Sequence, residues 1–148
     1  MPKNIVRSFV VVTLIVFLLG CARQGELIPY PKKETLLMER SLEFYTNIVS
    51  KKYGRMYDML SASKRAHTPK ETYIASLTQF FKQIKVTTRS PEVISVSGER
   101  GITRTIVSLG LESQTYVLCA ELEWVWENDS WFIERDGADC AVPSGAFK

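Results

Sequence analysis

The chain is 148 residues long, with 19 Lys and Arg against 16 Asp and Glu and a single histidine. That length holds one domain with a genuine core and not comfortably two. Charge of nearly balanced sign, alternating along the chain, excludes the concentrated basic field on which nucleic-acid binding depends.

Lys3 and Arg7 precede Phe9 to Leu19, a stretch in which only Thr13 is polar, and small Gly20 stands before Cys21. A charged head, a short apolar run and a small residue at a cleavage point make a secretory signal. A permanent helical span takes about 20 apolar residues, more than this run supplies. The closing residues Leu18, Leu19, Gly20 and Cys21 resemble the signal sequence of bacterial lipoproteins. The resemblance implies that residues 1–20 are a signal peptide cut between Gly20 and Cys21. It also implies that the Cys21 sulfur carries a diacylglyceryl group and that the freed amine is acylated with a fatty acid such as palmitate. Each buried CH2 contributes roughly 0.8 kcal/mol, so two or three chains hold a protein firmly to membrane lipid where one does not. An Asp at position 22 would resemble the inner-membrane retention signal of that family. Ala22 stands there instead, which implies the periplasmic side of the outer membrane in a cell with two membranes. A generic secretory signal with an incidental cysteine, or an uncleaved anchor, are the alternatives. Without Lys3 and Arg7 the count is 17 basic against 16 acidic side chains, and no polybasic partner surface is expected.

Residues 21–33 contain Gly25, Pro29 and Pro31 without an apolar period, which predicts a lipidated flexible tether. A single α+β domain over 34–140 follows, and 141–148, with Pro143 and Gly145, reads as a loose tail. Met38, Leu42, Tyr45 and Val49 predict one face of a helix from about Glu34 to Ser50. Tyr53, Met56, Tyr57 and Leu60 predict a second, shorter helix, broken from Ser61 to Arg65. Thr68, Pro69 and Glu71 have the spacing of a capping box and open a third helix reaching Ile84. Its predicted core face is Tyr73, Ile74, Leu77, Phe80, Phe81 and Ile84.

From Val86 the period shifts toward two, with an interruption at Ser90 and Pro91. Strands are predicted over 92–97, 102–112, 116–127 and 130–136. In the third of these Tyr116, Leu118, Ala120, Leu122, Trp124 and Trp126 form the core face, since side chains alternate across a strand. Asn128 and Asp129 turn the chain into a hairpin that sets Trp126 opposite Trp131 and Trp124 opposite Ile133. The same register opposes Glu123 to Glu134, a contact that a bulge or an exposed edge would relieve.

The pattern is therefore α+β: three N-terminal helices packed on a curved, about four-stranded antiparallel sheet. The residues that carry a likeness are Phe44 and Tyr45, the run Lys52 to Ser61, the Thr68 to Ile84 helix, and the closing Trp124 to Ile133. Together they resemble the cone-shaped, cystatin-like nuclear transport factor 2-like (SnoaL-like) superfamily over roughly residues 34 to 136. The resemblance implies a concave pocket that binds a small ligand, carries out acid-base chemistry, or is filled by side chains.

Tyr45, Tyr57, Tyr73, Tyr116, Trp124, Trp126 and Trp131 are the residues that would line such a pocket, and core packing explains their spacing equally well. Acid-base enzymes of this shape place an Asp or His inside the cone. Here His67 falls on a polar connection and Asp58 beside the apolar stripe of its helix, so no residue is assigned a catalytic role. Arg104 and Arg135 are the candidates for holding an anionic group. No His and Cys cluster has metal-ligand spacing, no Gly-rich loop joins a strand to a helix, and no nucleophile elbow is present, so neither metal nor cofactor is expected.

Once Cys21 is lipidated, Cys119 and Cys140 remain, and export places them where disulfides persist. The hairpin register sets Cys119 across from Ala138, with Cys140 two residues further on the same face. Gly137 would let the strand bend to close a disulfide. The function that follows is a membrane-anchored envelope lipoprotein with a non-enzymatic domain. That domain binds a small ligand or an envelope protein, or pairs as a homodimer through the sheet. An exported isomerase or dehydratase using the cone, and a structural subunit of an envelope or secretion complex, are the alternatives.

Overall fold

The computed structural model describes residues 30–140. The signal sequence, Gly20, Cys21 and the tail 141–148 lie outside the described residues. Helix α1 spans Tyr30–Val49. It begins four residues before the expected Glu34, because Pro31 falls in the first turn, where a missing N–H costs nothing. Residues 30–33, read as tether, are therefore helical. The first turn is pinned: Trp131 Nε1 donates to the Lys33 carbonyl at 2.9 Å, and Lys33 Nζ donates to the Gly98 carbonyl at 3.2 Å.

The buried stripe of α1 is Leu37, Ser41, Phe44, Tyr45 and half-buried Ile48, while Leu42 and Val49 face outward. The predicted stripe is thus displaced by one position, and Ser41 is the reason. Its hydroxyl, fully buried, donates to Thr103 Oγ1 at 3.1 Å, and the same oxygen accepts from Trp124 Nε1 at 2.8 Å. A polar residue whose hydrogen bonds are satisfied sits in the core without penalty and masks the apolar period.

Helix α2 spans Tyr53–Asp58 and α3 spans Ala62–His67. The break expected from Ser61 to Arg65 is instead this third helix, capped by the Ser61 side chain, which accepts from the Lys64 N–H at 3.2 Å. Helix α4 spans Lys70–Phe80, and its capping position is Pro69, without a side-chain cap. The Thr68 capping box does not form. Thr68 is extended, as a residue before proline tends to be, and its carbonyl accepts from the Tyr57 hydroxyl at 2.9 Å. The helix stops short of Ile84, and Phe80, expected in the core, is exposed while Phe81 is buried.

Five strands follow: β1 (Lys85–Thr88), β2 (Glu92–Ser97), β3 (Arg100–Leu111), β4 (Gln114–Glu127) and β5 (Ser130–Cys140). All pairings are antiparallel. The fifth strand is β1. It pairs with one half of β3, from Val107 to Gly110, while β2 pairs with the other half, from Arg100 to Arg104. The Ser90-Pro91 interruption thus divides one sheet edge into two strands rather than ending a single one. Between them Arg89 stays bound to β3, its N–H donating to the Ile106 carbonyl at 3.0 Å and its own carbonyl accepting from Thr105 Oγ1 at 2.7 Å.

The helices cover the concave face, where Leu37, Met56, Met59, Trp124, Trp131 and Ile133 are almost wholly buried. Helix and sheet meet closely at Gly101, where a Cβ would lie 2.5 Å from Leu37 Cδ2. The predicted core face of β4 is kept from Leu118 to Trp126, but Tyr116 is exposed near the β3–β4 turn.

The β4–β5 register opens as predicted, with Trp126 opposite Trp131 and Trp124 opposite Ile133. It then shifts twice. The first irregularity sets Glu123 opposite Arg135 instead of Glu134, replacing a like-charge contact by an ion pair of 3.1 Å. The second lies between Ala120 and Leu122, near Gly137, whose φ of +72° favours glycine. Two extra residues on β5 bring Cys140, not Ala138, directly opposite Cys119.

Candidate functional site

The interior is packed. Beneath α1 the concave face is filled by Trp124, Trp131, Phe44, Leu122 and the Met56–Met59 pair. Among the residues whose burial is described, no Asp, Glu, His, Lys or Arg is buried. The buried polar groups are Ser41, Asn47, Ser61, Thr103 and Thr105, and none of them titrates in the range an acid-base catalyst needs. The Tyr45 hydroxyl is buried without a partner among the described residues, and burial raises its pKa well above the usual phenol value. It stays a neutral phenol and is no base.

The aromatic residues proposed for a pocket separate into four environments. Tyr45 and Trp124 are core. Tyr57 and Tyr73 meet edge-on at 5.6 Å, and burial, followed by the negative charge of Asp136, pushes Tyr73 up to about 12. Tyr116 is exposed. Only Trp126 and Trp131, edge-on at 5.1 Å, share a groove; its volume is about 160 Å³, and Leu36 and Arg40 of α1 form its opposite wall. Lys33 Nζ lies 4.8 Å from the centroid of Trp126, so this aromatic face already has a cation of its own chain.

The ionisable candidates are engaged at the surface. His67 Nδ1 lies 2.8 Å from the Ser63 carbonyl, and Asp58 pairs with Lys70 at 2.7 Å. Arg104 pairs with Glu121 at 2.9 Å and Arg135 with Glu123 at 3.1 Å. Lys64 pairs with Asp136. Burial pushes the Asp136 carboxyl upward, but the hydrogen bond and charge of Lys64 outweigh it and hold the group below its usual range. No group of three or more His, Cys, Asp or Glu that could hold a metal occurs among the described residues.

Cys119 and Cys140 form a disulfide with a Cα–Cα distance of 5.2 Å, within the usual range for such bridges. It fastens the end of β5 to the middle of β4.

A surface that sequence reasoning missed lies at the far end of α1. Two adjoining grooves, of about 500 and about 420 Å³, share Lys51 and Lys82; Lys52 borders the first and Lys85 the second. Neither groove is lined by an acidic residue. The floor of the first is aromatic, with Tyr53 stacked on Phe81 at 6.1 Å and 21°. The buried Tyr53 hydroxyl has no partner among the described residues. Alternation of charge along the chain does not extend to this end. The signal that could have found it is a pair of acid-free stretches, 44–57 and 72–91, which together carry all four lysines.

No family model matches the chain, and no curated protein matches it. Solved structures do. One is described as a Ca/calmodulin-dependent kinase II association domain from Exiguobacterium sibiricum, 18% identical, with a TM-score of 0.54 over 80% of this chain and 99% of that one. Another is Aln2 from Streptomyces, 10% identical, with a TM-score of 0.53 over 76% and 93%. A domain described as a calcium/calmodulin-dependent protein kinase II association domain from Xanthomonas campestris is 8% identical, with a TM-score of 0.50 over 80% and 92%. At such identities the likeness shows the fold alone: helices on a curved antiparallel sheet, as the nuclear transport factor 2-like resemblance implied, hosting whatever function the surface carries.

Proposed function

We propose that this protein is exported, is anchored to a lipid leaflet through acylated Cys21, and uses its α+β domain for binding rather than catalysis. The observation that carries the reading is the Cys119–Cys140 disulfide, formed where two register shifts bring the cysteines face to face. Such bonds persist outside the cytosol and are rare within it. That agrees with the export signal ending at Gly20 and Cys21. No helix among the described residues is long and apolar enough to cross a membrane, and the attachment proposed is the acyl group on Cys21. The binding role is supported by the packed interior, which offers no charged group to an isomerase or dehydratase reaction. The surface we assign to a partner of the envelope, or to a second copy of the chain, is the outer face of β3 and β4. There half-buried Ile102, Ile106, Val117 and Val125 flank the Arg104–Glu121 pair.

Metabolic labelling with radioactive palmitate tests the anchor. The parent chain incorporates label and Cys21→Ser does not; label retained by Cys21→Ser refutes the reading. Gentle membrane solubilisation followed by co-purification then separates the partner classes. A stoichiometric envelope protein supports a complex subunit, and a doubled mass without other chains supports the homodimer.

A further inference from the structure

We propose that the end of the domain carrying Lys51, Lys52, Lys82 and Lys85 is a second membrane contact, which docks on the phosphate headgroups of an anionic phospholipid leaflet. The first observation is charge without compensation. Among the described residues Lys52, Lys82 and Lys85 make no ion pair, and no carboxylate lines either groove they border. Lys51 is fixed in place, its Nζ donating to the Phe81 carbonyl at 3.0 Å. It adopts φ +54°, a left-handed conformation in which glycine is the usual residue after a helix. A lysine is thus held there at some backbone cost.

The second observation is independent of charge. Of the six large apolar side chains exposed among the described residues, two adjoin these lysines: Phe80 at 59% and Val49 at 45%. Val49 borders the groove of Lys82 and Lys85, and Phe80 packs edge-on against Phe81 at 4.8 Å. Lysines with no counter-ion beside exposed aromatic and aliphatic groups match a headgroup layer: the ammonium groups meet phosphate while the apolar tips enter the acyl boundary.

The geometry allows both attachments on one leaflet. Helix α1 has 20 residues and is about 30 Å long, with Lys51 just beyond its far end. The nine residue steps from Cys21 to Tyr30 reach at most about 30 Å. Lipid-anchored proteins gain stable attachment from a second signal of this kind. The proposal rests on the exported, acylated reading only for its cellular setting; binding to vesicles by a chain without the Cys21 thiol tests it separately.

The test uses residues 21–148 with Cys21→Ser, which retain every described contact. Sedimentation with phosphatidylglycerol-containing vesicles is compared with sedimentation with pure phosphatidylcholine vesicles. Binding is expected to the anionic vesicles and to weaken as chloride is raised. Combining Lys52→Gln, Lys82→Gln and Lys85→Gln weakens it by roughly fivefold per lysine, with an unchanged melting temperature. A control with the same loss of charge, Lys32→Gln, Lys70→Gln and Arg135→Gln, weakens it far less. Equal binding by the two triple variants overturns the proposal. So does release from vesicles by inorganic phosphate beyond the effect of chloride at equal ionic strength, which would mark a pocket for a soluble anion.

Discussion

The two ends of helix α1 are built on opposite principles. At the first, Lys33 lies over Trp126 and bonds to Gly98, Trp131 donates to the Lys33 carbonyl, and Arg40 bonds to both the Trp131 carbonyl and Glu43. At the other, Lys52, Lys82 and Lys85 have no acidic partner among the described residues, and large apolar groups stand in solvent. The first end closes the helix onto the sheet. The second leaves unspent the charge and apolar surface that a binding partner would use. On the proposed reading, a domain whose described interior holds no buried charge binds through its outside, at the end where its own residues do not satisfy one another.

That contrast is open to measurement, and the largest effect belongs to the closed end. Trp131→Ala removes a nearly buried indole that spans α1 and β5 and should cost roughly 3–5 kcal/mol in urea unfolding. Phe80→Ala at the open end should stay within about 0.5 kcal/mol, since surface substitutions usually do. Equal losses at the two positions would erase the distinction. The disulfide comes next. Replacing both Cys119 and Cys140 by Ser, 21 positions apart, should cost about 3 kcal/mol, and adding reductant to the parent should reproduce the shift. An intermediate effect is expected at Lys51. Lys51→Gly relieves a left-handed backbone costing roughly 1–2 kcal/mol but loses the bond to the Phe81 carbonyl, worth about 1 kcal/mol. Stability should therefore hold or rise slightly while vesicle binding falls. A loss of stability as large as that of Trp131→Ala would place Lys51 in the scaffold.

The smallest effect is a pH dependence. Asp136 titrates below the usual carboxylate range because Lys64 favours its charged form over the upward pull of burial. Its contribution is complete above that range and fades as the pH falls through the lowered value. Asp136→Asn should thus melt slightly below the parent at neutral pH and converge with it in acid. A gap that persists in acid would assign the effect to something other than the ion pair.

The α+β class, the helices before the sheet, and the tryptophan hairpin were readable because long apolar periods and the Asn128–Asp129 turn report directly on local geometry. What escaped were features set by tertiary contact. Ser41 belongs to the core because Thr103 and Trp124 complete a hydrogen-bonded group, so a hydrophobicity count displaced the stripe by one residue. Pro69 moved the helix start past Thr68, and the freed Thr68 carbonyl took the Tyr57 hydroxyl. The cysteine register depended on two bulges that no alternation pattern encodes, although the Glu123–Glu134 clash signalled the first of them. The lysine end was hidden for a different reason. Its four charges come from two segments about thirty residues apart, each of which looks ordinary until α4 and β1 fold beside the end of α1.

One measurement reaches the central claim directly: the intact mass of the native polypeptide extracted from the membrane fraction without reductant. The account predicts a chain beginning at Cys21, heavier by its acyl groups and lighter by the two hydrogens lost in joining Cys119 to Cys140. A species starting at Met1, with Cys21 unmodified and both remaining thiols free, would contradict it.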